Sequence, residues 1–183
     1  MVAILVVVLL AAIVWAIVAY NRLIHLRNQV RNAWSDIDVQ LKRRHDLVPE
    51  LVASVKGYMG HERGVLQSVT ELRSQAVAIE SPSKLGNVES DLSRAITGVF
   101  ALKEAYPDLK ANQNFLQLQR DLVQVEDQLQ YARRFYNGAV RDYNTDVQRL
   151  PDTIIARSFG FTAEEFFQAD EQDRPPVNVN LTS

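Results

Sequence analysis

The feature that most constrains this chain is an uninterrupted apolar run from Val2 to Tyr20, with no charge, no proline and no glycine. As a helix rising 1.5 Å per residue it is roughly 28 Å long, about one bilayer core. Trp15 and Tyr20 lie towards its C-terminal end, where amphipathic rings favour the headgroup zone. Arg22, His25, Arg27 and Arg31 follow before the first acid, Asp36. Nothing basic lies between Met1 and the run, and the run is longer than the apolar core of a cleaved signal. Residues 1–20 therefore read as a retained transmembrane anchor. By the positive-inside bias the arginines hold its far end in the cytoplasm, which places the N-terminus outside and the rest of the chain in the cytosol.

Beyond Tyr20 the apolar residues keep a helical period. Leu23, Val30 and Ile37 are seven apart, as are Trp34, Leu41, Val48 and Val55, so two neighbouring rows make one broad stripe on a long helix over about 21–57. Pro49 falls within it and predicts a kink rather than a stop, because the rows run through it. Gly57 and Gly60 mark the reversal that follows. Val65, Val69, Leu72, Ala76 and Ile79 describe a second, short helix, closed by Ser81-Pro82-Ser83-Lys84 and linked onward by Leu85-Gly86. Val88, Leu92, Ala95, Val99 and Leu102 describe a third, broken at Tyr106-Pro107-Asp108. The fourth, over 111–148, carries the most regular seam: Phe115, Leu118, Leu122, Val125, Leu129, Ala132, Tyr136, Ala139 and Tyr143.

These patterns predict an all-α chain: a transmembrane helix followed by an antiparallel four-helix bundle over 21–150, with coiled-coil-like seams. The first and fourth helices are each about 55 Å long and the other two near half that. The short pair covers only the membrane-distal half, and the thinner half needs a cover. Residues 151–169 are the candidate: Ile154 and Ile155 lead to Phe159, Phe161, Phe166 and Phe167, four of the seven phenylalanines within nine residues. Two readings stay open for these rings, a cap on the paired helices or contact with the bilayer or a partner. Residues 170–183, polar and with Pro175-Pro176, read as a disordered tail.

Composition narrows the function. A net charge of −2 gives no global pull towards nucleic acid, and the absence of cysteine excludes thiol catalysis and thiolate metal sites. His25, His45 and His61 have no second histidine four residues away, and no phosphate loop or nucleophile elbow occurs. No nucleophile is paired with a base in the sequence pattern, so the expectation is a protein that is not an enzyme and holds no cofactor. The recurring polar pairs Tyr136-Asn137 and Tyr143-Asn144, with Asn21 after Tyr20, suggest an interhelical hydrogen-bond ladder or a partner-docking surface, joined by Asp36, Asp38, Arg43, Arg44 and Arg134. Arg22, Arg27 and Arg31, with Phe159, Phe161, Phe166 and Phe167, are the candidate lipid contacts.

Tyr20-Asn21-Arg22-Leu23, Arg31-Asn32-Ala33-Trp34-Ser35-Asp36-Ile37-Asp38-Val39-Gln40-Leu41-Lys42-Arg43-Arg44 and Asp46-Leu47-Val48-Pro49-Glu50-Leu51-Val52 resemble the LemA family. So do Ala105-Tyr106-Pro107-Asp108-Leu109-Lys110, Arg134-Phe135-Tyr136-Asn137, Tyr143-Asn144 and Ile155-Ala156 through Phe159-Gly160-Phe161. Glu50 departs mildly from the family, which often has Asn after this proline. The resemblance implies a bacterial single-pass protein of the inner membrane with a cytoplasmic helical domain, and no established reaction or catalytic residues to carry over. It also implies relatives at magnetosome membranes and near membrane metalloproteases. The expected function is a membrane-anchored scaffold or adaptor, and the alternative is a lipid-binding or membrane-shaping module. Expected partners are membrane lipid, membrane or membrane-associated proteins (a membrane metalloprotease among them by family analogy) and further copies of the chain, with no nucleic acid.

Overall fold

The computed structural model describes residues 1–58 and 63–167, and the described residues form helices joined by turns and irregular segments, with no strand among them. Gly60, His61 and the tail predicted over 170–183 lie outside the described residues. Six α-helices follow one another: α1 (Val2–Lys56), α2 (Arg63–Val77), α3 (Pro82–Ala101), α4 (Pro107–Lys110), α5 (Gln113–Gln148) and α6 (Asp152–Ser158), with a 3-10 turn at Leu102–Glu104. The chain divides into two compact units, one of residues 1–42 and 125–166 and one of 43–124 with Phe167.

Helix α1 is unbroken over 55 residues. It is long and apolar enough at its start to cross a membrane, and only 6% of its most apolar 18-residue window is buried. In the first unit its stripe buries Leu23, Val30, Ala33, Ile37 and Leu41. On α5 the same unit buries Val125, Leu129, Tyr136, Ala139, Val140 and Tyr143.

The second unit explains why Pro49 does not end α1. A proline inside a helix costs about 3 kcal/mol through its missing N–H and its clash with the preceding turn. The flanking residues Val48, Leu51 and Val55 are buried in a cluster with Leu66, Val69, Leu92, Ile96, Val99, Leu109 and Phe115. Burying side chains of this size returns about 1.5–3 kcal/mol each, so continuing the helix wins.

The junction between α2 and α3 corrects the sequence reading. Residues 83–86 are the opening of α3 rather than a link. Ser81 is extended at φ −74° and ψ 123°, and Pro82 occupies the first helical position, where its fixed φ suits the helix and its missing N–H is not needed. Leu85 and Gly86 are consequently buried on α3. Pro107 opens α4 in the same way after an extended Tyr106. Asn112 caps α5, its Oδ1 accepting from the backbone N–H groups of Asn114 at 2.9 Å and Phe115 at 3.1 Å.

Candidate functional site

The segment after α5 is where most of the singled-out residues of the first unit meet. Helix α6 ends on Gly160, whose φ of +71° only glycine adopts without strain. The Gly160 N–H donates to the Arg157 carbonyl at 3.4 Å and the Phe161 N–H to the Ala156 carbonyl at 2.9 Å, the paired bonds of a Schellman stop. This turn separates two rings that the sequence had grouped together. Phe161 is turned inward and buried, while Phe159 stays exposed. Both stand edge-on to Tyr20, with centroids at 4.9 Å for Phe159 and 5.7 Å for Phe161, and the Arg27 guanidinium lies 6.0 Å from the Phe161 centroid.

Residues 162–166 have no secondary structure of their own, so their backbone polar groups need partners from elsewhere. Helix α5 supplies them. Asn144 donates through Nδ2 to the Glu164 carbonyl and accepts the Glu164 N–H on Oδ1, both at 2.9 Å. Tyr136 donates its hydroxyl to the Glu165 carbonyl at 2.8 Å, and its ring lies 5.4 Å from that of Trp34. The recurrent Tyr and Asn of α5 thus hold the C-terminal segment, where the sequence pointed to bonds between helices. Tyr143 does neither: its ring is fully buried and its hydroxyl has no hydrogen-bond partner among the described residues.

The two tyrosines carry opposite expectations. Burial, then the charges of Glu164 and Glu165, push the Tyr136 phenol up to about 12, and burial likewise raises Tyr143. An unfolded phenol ionises near 10, so this contribution to stability is complete below pH 10 and is lost as pH rises through 12. Tyr136→Phe should cost about 1 kcal/mol at neutral pH and remove part of the alkaline loss. Tyr143→Phe should cost nothing and gain up to about 1 kcal/mol, because it deletes a buried hydroxyl without a partner. Urea unfolding of the full chain in detergent, at neutral pH and in steps above pH 10, measures both. Destabilisation by Tyr143→Phe would count against this reading.

The basic residues divide. Arg22 clamps the buried Asp146 through Nε to Oδ2 at 2.6 Å and Nη2 to Oδ1 at 3.1 Å. Arg149 lies 3.6 Å from Asp152 and 4.0 Å from Asp146. Arg31 is exposed and Arg27 is half-buried. Among the proposed lipid contacts, Phe161 and Phe167 are buried in the protein and are therefore corrected, because rings enclosed by protein have no surface left for lipid. Phe159 and Phe166 remain exposed.

Of the remaining polar candidates, Asn21, Asp36 and Arg43 are exposed and Asn137 is half-buried. Asp38 pairs with Lys42 at 2.7 Å, and Arg134 lies 4.9 Å over the Tyr131 ring. Beside them, Asp36, Val39, Gln40, Gln128, Tyr131, Ala132 and Phe135 line an open groove of about 350 Å³, with Val39, Tyr131 and Phe135 exposed.

Arg44 belongs instead to a buried ionic cluster in the second unit. Glu89 on α3 accepts from Arg44 Nη1 on Oε2 at 3.1 Å and faces His45 Nε2 on Oε1 at 2.6 Å. A carboxylate only accepts, so that imidazole nitrogen carries the proton. Arg44 also donates to Ser93, and Arg73 donates to the His45 carbonyl at 2.7 Å. The sequence reading missed Glu89 and left His45 without a partner. The available signal was its position: Leu85, Glu89, Leu92, Ile96 and Val99 repeat at 4-3-4-3, with a charge where the stripe calls for an apolar residue. Among the described residues, no three His, Asp or Glu side chains are grouped to hold a metal ion.

Comparison with known proteins supplies a second line of observation. The model of the LemA family matches residues 33–181. Protein LemA of Metamycoplasma hominis is 28% identical over 164 residues, spanning 87% of this chain and 74% of that protein. Magnetosome protein MamQ of Magnetospirillum gryphiswaldense is 22% identical over 203 residues, spanning 97% of this chain and 75% of that protein. Magnetosome protein MamQ 2 of Paramagnetospirillum magneticum is 21% identical over 193 residues, spanning 91% and 71%.

Proposed function

This chain belongs to the LemA family, and on that premise we propose that it is a membrane-anchored helical scaffold or adaptor that works through protein contacts and catalyses no reaction. The observation that carries the proposal is the open groove of Val39, Tyr131 and Phe135, where apolar and aromatic side chains stay exposed beside the buried stripes that α1 and α5 carry in the first unit. Exposed aromatics bordered by polar residues are the usual composition of a protein-docking patch. The supporting architecture is the antiparallel four-helix bundle. In the first unit Arg22 meets Asp146 and Trp34 meets Tyr136, so partners fall along α5 as they rise along α1.

The anchor lies in the bacterial inner membrane with the N-terminus out and the helical domain in the cytosol. Membrane or membrane-associated proteins are the expected partners, a membrane metalloprotease among them by family analogy, and a second copy is a further candidate. A second reading, a lipid-binding or membrane-shaping module, is favoured by one specific observation: Phe159 is exposed although it packs on Tyr20, the last residue of the apolar run.

A photo-crosslinking residue in place of Val39 tests the scaffold in cells. The expected result is a discrete adduct that disappears in the Tyr131→Ala/Phe135→Ala background, while the melting curve moves little because both residues are exposed. An adduct that persists unchanged in that background, or no adduct at all, overturns the groove as the docking site. Orientation is read separately with single cysteines, Ser183→Cys or Ala3→Cys, and a membrane-impermeant maleimide on intact cells. The expected outcome is that Ser183→Cys stays protected until lysis.

A further inference from the structure

We propose that α6 and the turn after it form a second membrane contact, with Leu150, Ile154 and Phe159 lying among the acyl chains of the leaflet next to the C-terminal end of the span. The inference rests on the anchor reading and adds an element to it that neither apolar run length nor helix periodicity reveals.

Three observations lead there. The first is a groove of about 380 Å³ lined by Ile13, Ala16, Ile17, Tyr20 and Phe159. Four of its walls belong to the span itself. Apolar hollows of this kind are poor sites for water, which needs two or more polar partners. The groove is continuous with the surface of the span, whose apolar window is almost wholly unburied, so the medium that covers the span also fills the groove. That medium is lipid.

The second observation is the set of exposed apolar residues on and beside α6. One face is used by the fold, burying Ile155 and Ala156. The other leaves Ile154 57% exposed, with Leu150 at 75% just before the helix and Phe159 at 62% just after it. Three large apolar side chains within ten residues are thus left uncovered at one corner, the kind of exposed cluster that marks a contact surface. Here protein encloses only one side.

Depth is the third. Phe159 is 4.9 Å from Tyr20, centroid to centroid, and the groove it closes reaches Ile13. Seven residues of helix are about 10 Å, so Phe159 stands beside the last two turns of the span rather than beyond it. Exposed Arg157 on α6 and half-exposed Arg149 before it lie at the same corner, suited to the anionic headgroups above the acyl chains. The corner thus combines an apolar rim with basic flanks, the composition of an interfacial membrane element.

The test uses the full chain, which lacks cysteine, reconstituted in nanodiscs of phosphatidylcholine and phosphatidylglycerol. Nitroxide labels are placed singly by Leu150→Cys, Ile154→Cys, Val8→Cys within the span and Asp127→Cys on the exposed face of α5. Collision rates are measured with oxygen, which concentrates in lipid, and with a water-soluble nickel chelate. Labels at 150 and 154 should favour oxygen over nickel several-fold more than the label at 127, approaching the label at 8. If Ile154→Cys matches Asp127→Cys while Val8→Cys reads as lipid, the second contact is overturned and the anchor stands. If Val8→Cys also reads as aqueous, the anchor reading fails and this inference with it. A label at 154 shielded from both reagents also overturns the proposal, because a protein surface, such as a second copy, then covers the helix. All four substituted residues are exposed or half-exposed in the structure, and circular dichroism melts confirm that each labelled variant is folded before its rates are compared.

Discussion

Replacing Glu89 with alanine should cost about 3–5 kcal/mol, the largest single-residue loss expected in this protein. Glu89 is 0% exposed, and both of its oxygens are engaged, by Arg44 at 3.1 Å and by His45 at 2.6 Å. Alanine would take the Glu89 carboxylate away from the buried Arg44 guanidinium, and a buried cation that loses a paired carboxylate costs far more than the intact pair contributes. His45 would also lose the carboxylate oxygen that faces its Nε2. The control is the double variant Glu89→Leu/Arg44→Met. Replacing a buried pair by apolar residues of similar size is often neutral, so the double variant should recover most of the loss. Urea unfolding of wild type, Glu89→Leu, Arg44→Met and the double variant provides the full cycle, with Glu89→Ala measured beside it. A loss below about 1 kcal/mol for Glu89→Ala would mean that the cluster is hydrated and that its burial contributes little.

Phe161→Ala is the second large effect, about 3 kcal/mol, and it should act locally. The ring is buried against Tyr20 and beneath Arg27, and the backbone on either side is held by the Schellman bonds of α6 and by Asn144. Losing the ring removes an apolar contact that keeps residues 162–166 on α5, and the hydrogen bonds of Asn144 and Tyr136 must then carry more of the load. Each of those bonds contributes about 1 kcal/mol net, too little to offset the loss. Hydrogen exchange should then quicken at the Glu164 amide, which Asn144 protects, and proteases should cut between 159 and 166. Phe159→Ala should leave both readouts near wild type, because that ring is exposed. Unchanged exchange at Glu164 in Phe161→Ala would show that the polar clasp alone holds the segment.

The contrast between Phe159 and Phe161 also marks how far the sequence can be read. Two residues apart, they share composition, neighbours and hydropathy, and no periodic pattern covers them. Gly160 was the available signal, because a glycine after a short helix and before an apolar residue suits a Schellman stop. Glu89 was legible in the same limited sense, as a charge on an apolar stripe. Neither signal names a partner. Arg44 and His45 lie 45 and 44 residues away on a different helix, and nothing in the local pattern selects them.

By itself the sequence determined the apolar run at the start, the all-helical character and the faces of the long helices. Eight of the nine seam residues on α5 are buried, with Ala132 half-buried. Such features are legible because a helix repeats every 3.6 residues, so one side of each segment is written in its own spacing. Only the tertiary structure decided that Asn144 and Tyr136 hold a coil segment, that Glu89 gathers Arg44 and His45, and that Phe161 is enclosed while Phe159, Ile154 and Leu150 are not. Those outcomes depend on which faces meet across tens of residues, and burial and hydrogen-bond satisfaction act on the assembled neighbours rather than on the spacing within any one helix.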